Sequence, residues 1–289
     1  MARERISVGD VRLSVESAGS GPPVVLLHGF PENSHSWRHQ LPVLADAGFR
    51  AIAPDLRGYG RSDRPDRVED YAIAHLAGDV WGLIDALDAG PVHLVGHDWG
   101  GSLGWMTAMR RPDLLRSLTI LNSPHPAASA HARLTLPDQM AKSWYMLLFQ
   151  FPGVAEAWLS NDDFANFRNF VFGTAAADTF SEEDREAFLE PLRRDGALTA
   201  ALNYYRANIP PASWIGSAPD TPPVEVPTMI IWGLEDAYMG RVLLDLSIER
   251  VGGRLRVEEL PGVGHWVQQE AADEVNTLLR DFLSGPSAP

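Results

Sequence analysis

The sequence predicts an α/β protein with a mainly parallel central sheet flanked by helices. Two observations carry this: short apolar runs bounded by turn residues alternate with longer stretches of helical period, and several of these runs feed directly into glycine-marked loops. A third is the region between Pro126 and about Pro223, where the strand rhythm stops and aromatic-rich helical segments replace it.

In chain order, VVLL (24–27) is a buried strand running into HGFP, and RAIAPD (50–55) is one running into the loop LRGYGRSD. Ile73, Leu76, Val80, Ile84 and Leu87 recur at three and four residues, which lays an apolar stripe along one helix. VHLV (92–95) is the next strand and delivers the chain to GHDWGG (96–101). A helix from Gly100 to Arg111 is stopped by Pro112, and SLTIL (117–121) follows as a strand. VPTMIIWG (226–233) and RLRVEEL (254–260) supply two more strands; Ala272, Val275, Leu279 and Phe282 mark a last helix before a frayed tail, SGPSAP.

The segment 127–223 holds WYMLLFQF, WLSNDDFANFRNFVF, SEEDREAFLEPLRR and ALTAALNYYRANI. It is too long for a structureless connection within a compact fold. It reads as a helical cap, or lid, inserted into a core made of residues 1–126 and 224–289, with Pro210, Pro211, Pro222 and Pro223 on the return path.

Composition narrows the function. A net charge of -14, from 24 Lys and Arg against 38 Asp and Glu, would repel a nucleic-acid backbone. A hydrophobic share of 45% with 21% charged residues is that of an ordinary globular chain, with no membrane class suggested. The chain has no cysteine, which excludes disulfides and thiolate metal sites. The first residues, MARERISVGDVRLSVESAG, lack the apolar run of a signal peptide, so a cytoplasmic enzyme is expected.

GHDWGG has the spacing of a strand-to-helix nucleophile elbow, but its central residue is Asp98 where a hydrolase usually keeps serine. The following helix end favours an ionised carboxylate there, and a helix cap is the competing role for the same aspartate. Asp236, in the loop after IIWG, and His265, in the glycine-marked loop PGVGHW, follow in the order nucleophile, acid, histidine expected of such a constellation. A carboxylate is a poor acyl nucleophile, but it can displace a leaving group at saturated carbon, either a strained epoxide oxygen or a halide, and form an ester. His265, oriented by Asp236, is then the base that activates water to break that ester.

HGFP, DLRGYGRSD, GHDWGG, WGLED and GHWVQQE together resemble the epoxide hydrolase branch of the α/β-hydrolase fold superfamily, across nearly the whole chain. The resemblance implies an α/β-hydrolase fold, a cofactor-independent reaction with water as co-substrate, and an oxyanion hole made by the backbone NH groups of Phe30 and Trp99. It also implies a cis Phe30–Pro31 bond. It sets the acid three residues after Gly233, at Asp236 rather than Glu235, with Asn122 occupying the position that some relatives use instead. Tyr145 and Tyr205 match the paired lid tyrosines that protonate the epoxide oxygen, Tyr145 by its distance from FQFPGVAE and Tyr205 by its place directly before Arg206. Tyr204 should point elsewhere, because adjacent helical positions do not share a face.

Phe30, Trp99, Trp144 and Phe149 are the side chains expected around a small apolar epoxide. Haloalkane dehalogenases share the core motifs but often carry Asn where this chain has Phe30. Fluoroacetate dehalogenases bind a carboxylate with arginines near the nucleophile, where this chain has Trp99 and Ser102; an uncharged substrate is therefore expected. A ligand-binding homologue with little turnover is the third alternative. His28 is expected to support the HGFP loop, and His93, His97 and His125 to be structural rather than metal ligands.

Overall fold

The computed structural model describes residues 2–285. Eight strands form one sheet: β1 (Ala2–Val8), β2 (Val11–Ala18), β3 (Pro23–Leu27), β4 (Arg50–Pro54), β5 (Val92–His97), β6 (Leu115–Leu121), β7 (Thr228–Gly233) and β8 (Leu255–Leu260). Their order is β1-β2-β4-β3-β5-β6-β7-β8. The pairs β1–β2 and β2–β4 are antiparallel, and every pair from β4 to β8 is parallel.

Side-chain alternation along the strands makes a core on each face of this sheet. Val25, Leu27, Leu94, Leu118 and Ile230 face one way; Val24, Leu26, Val95, Leu121 and Ile231 face the other. The first face is covered by α2 (Ile73–Ala86) and α3 (Trp99–Arg110), the second by α1 (Gln40–Asp46) and α12 (Ala272–Ser284). All six strands read from the sequence are present within two residues, as is the α2 stripe. In the last helix, Val275, Leu278, Leu279 and Leu283 are buried whereas Phe282 is only half-buried, so the buried stripe is rotated slightly from the expected one. The tail from Ser284 is described only to Gly285, and residues 286–289 of that expectation lie outside the described residues.

The N-terminal hairpin was not legible as strands. Most side chains of β1 are exposed, so it lacks the apolar alternation that marks a strand, although the tight turn at Gly9 (φ +54) and the buried Val11, Leu13 and Val15 of β2 were available signals. Between β6 and β7 the described residues form no strand. They form α4 (Pro126–Thr135), α5 (Pro137–Lys142), α6 (Trp144–Leu148), α7 (Val154–Val171), α8 (Glu182–Leu192) and α9 (Ala197–Asn208), followed by a single 3-10 turn, Pro211–Trp214. Helices α10 (Val242–Ile248) and α11 (Val267–Glu270) complete the set.

Strand β4 lies on one side of β3 and β5 on the other, so the order reverses between β3 and β5. A crevice opens at the carboxyl ends of strands at such a switch point, which is where doubly wound sheets bind ligands. The HGFP loop leaves β3 there and Asp98 leaves β5 there.

Candidate active site

Asp98 sits between β5 and α3 with φ 50 and ψ −117, a conformation that a non-glycine residue adopts only under the constraint of its surroundings. Close backbone packing supplies that constraint: a Cβ on Gly100 would fall 2.1 Å from the Leu27 carbonyl oxygen, and one on Gly29 would fall 2.3 Å from Asp98 Oδ1. Ser123 Oγ donates to the Asp98 carbonyl at 2.7 Å and braces the turn. The Asp98 side chain makes no capping bond to α3, so the helix-cap role is not realised.

Instead, the Phe30 NH donates to Asp98 Oδ1 at 2.8 Å, and the Trp99 NH also stabilises the carboxylate. These are the two donors expected of the oxyanion hole, and the Phe30–Pro31 bond is cis. Burial nevertheless outweighs His265, His97 and both NH groups, and pushes the Asp98 carboxyl above the ordinary carboxylate range. The NH at the helix end favours the carboxylate, as the sequence leads one to expect, but only as a partial counterweight to desolvation.

His265 Nδ1 donates to Asp236 Oδ2 at 2.7 Å, and its Nε2 lies 4.0 Å from Asp98 Oδ2. That second distance is too long for a direct hydrogen bond. Burial opposes charge on His265, but the carboxylates of Asp236, Asp98 and Glu32 prevail and push its imidazole up to about 9. Burial likewise opposes charge on Asp236; His265, Asn122 and the Tyr238 NH outweigh it and hold the carboxyl below its ordinary range. Asp236 Oδ1 accepts from the Tyr238 and Met239 NH groups at 2.7 and 2.9 Å, while Glu235 beside it is exposed.

Two supporting residues were not recognised from sequence. Asn122, at the position some relatives use for the acid, donates from Nδ2 to Asp236 Oδ2 at 2.7 Å and accepts the Gly233 NH at 2.8 Å, so it fixes Asp236 rather than replacing it. Glu32, directly after HGFP, is buried among His97, Gln268 and Gln269. Its buried charge helps to raise His265. The signal in both cases was position beside a motif, which says nothing about where a side chain turns.

His28 behaves as expected, donating from Nδ1 to Gly29 O at 2.9 Å and accepting the Leu56 NH at 3.0 Å. His93 bonds Ser117 Oγ at 2.7 Å and His125 caps α4, and among the described residues neither is paired with a carboxylate. His97 bridges Glu32 and the His265 carbonyl.

Above the elbow stand Tyr145, on α6, and Tyr205, on α9, with ring centroids 6.0 Å apart. Tyr205 meets Phe30 and Trp99 edge-on, at 5.3 and 5.2 Å. Burial, and then the nearby Asp98 charge, raise both phenols well above their ordinary value, so both keep their protons. Tyr204 turns away and donates to the Arg57 carbonyl at 2.8 Å.

A narrow pocket lined by Phe30, Asp98, Tyr145, Tyr205, Tyr238 and His265 and a larger cavity of about 420 Å³ share Asp98, Tyr145 and Tyr205 as lining residues. Phe30 lines the first and Trp99 the second. Phe149 is fully buried behind both tyrosines, 5.4 Å from Tyr145 and 5.0 Å from Tyr205, and lines neither. Trp144 is a correction: it is 49% exposed, packs on Trp158 and Phe170, and reaches neither space, because its neighbour Tyr145 takes the inward face of the helix.

A family model described as "alpha/beta hydrolase fold" matches residues 22–272. Epoxide hydrolase 3 of Xenopus tropicalis is 38% identical over 287 residues, which cover 96% of this chain and 76% of that protein. The AB hydrolase superfamily protein YfhM of Bacillus subtilis is 36% identical, covering 96% of each chain. A crystal structure of an epoxide hydrolase from Bacillus megaterium in complex with an inhibitor superposes with a TM-score of 0.89 at 30% identity, covering 98% of this chain and 100% of the other. With this site at the carboxyl ends of β3, β5, β7 and β8, the chain belongs to the epoxide hydrolase branch of the α/β-hydrolase fold family.

Proposed function

We infer that the protein hydrolyses an epoxide to a vicinal diol through an ester on Asp98. The observation that carries this reading is the meeting of two buried phenols with a buried carboxylate in one pocket. Asp98 Oδ1 is held by the Phe30 NH, the Trp99 NH also steadies the carboxylate, and Oδ2, on the His265 side, is the attacking oxygen. It forms a bond to an epoxide carbon as the carbon–oxygen bond of the ring breaks. Tyr145 and Tyr205 hydrogen-bond the departing oxygen, and one of them gives it a proton.

Water then attacks the ester carbon, Asp98 Cγ. The 4.0 Å gap between His265 Nε2 and Asp98 Oδ2 leaves an approach for that water beside its base. His265 takes one proton from the water, Oδ1 carries the developing negative charge toward the two NH donors, and the Cγ–Oδ2 bond breaks, so that Oδ2 leaves as the second diol oxygen and the water oxygen takes its place in the Asp98 carboxylate. Of the water's two protons, one neutralises the departing second diol oxygen and the other restores the tyrosine, with His265 relaying the one it accepted, so no cofactor is consumed.

The inserted segment 127–223 acts in this scheme as the lid that brings the phenols to the core. Halide displacement would need no such acid. Turnover in the cytoplasm would remove a reactive electrophile, a detoxifying role consistent with a small epoxide substrate.

The test is a single turnover in water labelled with heavy oxygen. The first diol released should carry unlabelled oxygen from Asp98, with label appearing in the Asp98 carboxylate. Label entering the diol directly in that turnover excludes the ester mechanism, and release of halide from haloalkanes without action on epoxides overturns the assignment.

A further inference from the structure

The larger cavity contains a cation that the reaction does not use. Arg133, on α4, lines it and is 7% exposed. Its NH1 donates to Ser129 Oγ at 3.0 Å, its guanidinium lies 5.5 Å from the Trp214 ring centroid, and its Nε has no partner. Among the described residues it forms no ion pair. The ionisable side chains that line the cavity are Asp98, Tyr145, Tyr205 and Arg133 itself, and Asp98 belongs to the catalytic elbow.

Buried charges are ordinarily paired; Arg133 has the Ser129 hydroxyl and the Trp214 ring beside it but no counter-charge, and an anion in the cavity would supply one. A second orphan points the same way: Ser213 also lines the cavity, and its Oγ is buried without a partner. Ser213 belongs to the 3-10 turn that packs against α4, so both unsatisfied groups lie where the return path meets that helix. The sequence suggested an uncharged substrate because no arginine flanks the nucleophile. The arginine reaches the cavity from another helix instead.

We propose that the substrate is an epoxide bearing a carboxylate on its far end, with the epoxide between Asp98 and the two tyrosines and the carboxylate on Arg133 and Ser213. This rests on the epoxide hydrolase reading. One cation balances one charge, which favours a carboxylate over a phosphate monoester with close to two. Arginine offers a carboxylate parallel NH donors, and the Ser213 hydroxyl can supply another.

The test compares terminal epoxides carrying a carboxylate at the end of alkyl chains of increasing length with the matching primary amides. At an optimal length, kcat/KM for the acid over the amide should favour the acid, and Arg133→Met should lower that ratio by about 10- to 100-fold, the range of a hydrogen bond to a charged group. Arg133→Lys should restore part of it. Alkyl carboxylates should also inhibit the unaltered protein more strongly than the corresponding amides, a comparison that needs no variant to fold. Turnover of the amides with no acid preference at any length, or a ratio unchanged by Arg133→Met, overturns this inference alone. Failure to turn over any epoxide overturns the reading beneath it.

Discussion

Asp98 and His265 each stabilise the charged form of the other, which couples the two halves of the reaction. While Asp98 is a carboxylate, His265 is pushed up to about 9 and favours the imidazolium, a poor base. Esterification removes one of the charges responsible, so the imidazole becomes easier to deprotonate in the state that needs a base. Asp98→Asn imitates that loss of charge. The His265 resonance, followed by NMR against pH, should titrate lower in Asp98→Asn than in the unaltered protein; an unchanged midpoint would uncouple the pair. The half-reactions should also separate by mutation. In His265→Gln the substrate's mass should remain on Asp98 in the intact protein, whereas Tyr145→Phe with Tyr205→Phe should prevent that mass from appearing. Ester forming at the normal rate in the double variant would remove the tyrosines from the mechanism.

Helix α6 carries Tyr145 and α9 carries Tyr205, and a small polar clamp ties their surroundings together. Arg206 bonds Glu156 twice, at 2.8 and 3.0 Å, and donates from Nε to the Phe149 carbonyl at 2.9 Å, while Gln150 Nε2 donates to the Tyr205 carbonyl at 3.3 Å. This gives the FQFPGVAE string and the Tyr205–Arg206 pair a physical meaning: the landmarks by which the tyrosines were found are the clamp that holds them. Arg206→Met leaves the Glu156 charge half-buried and unpaired, and should cost about 2–4 kcal/mol in denaturant unfolding. It should also slow ester formation more than ester hydrolysis, read by rapid mixing, because the clamp positions the phenols and not His265. Equal slowing of both steps would point to a general loss of structure. At this scale the sequence was readable where a motif lies on one element, and misleading at Trp144, where the facing of a short helix decided between cavity and surface.

For the whole molecule, the buried histidines link stability to acid. Burial lowers His93 and His125 to about 4, against an ordinary 6.5. Between those values the unfolded chain binds protons that the native state refuses, so their contribution is complete above about 6.5 and is lost as pH falls toward 4. His265 is shifted the opposite way, and its contribution is fully present throughout that window. Unfolding free energy should therefore fall by on the order of a few kcal/mol from pH 6.5 to 4. His93→Gln with His125→Gln should flatten the slope in denaturant titrations; an unchanged slope would assign it to other groups. The parallel strands were legible because each is a buried apolar run ending in a loop that carries chemistry. Strand β1 was not, because an edge strand with exposed side chains has no such run, and Arg133 was not, because nothing local distinguishes a buried arginine from a solvated one. The return path supplies Ser213, Ile215, Ser217 and Pro219 to the cavity wall, yet no group in the ester chemistry, and Ile215 is 78% exposed. Randomising these four positions is accordingly a route to new substrate preferences by directed evolution, because the variants keep the reaction and change only the molecules admitted to it.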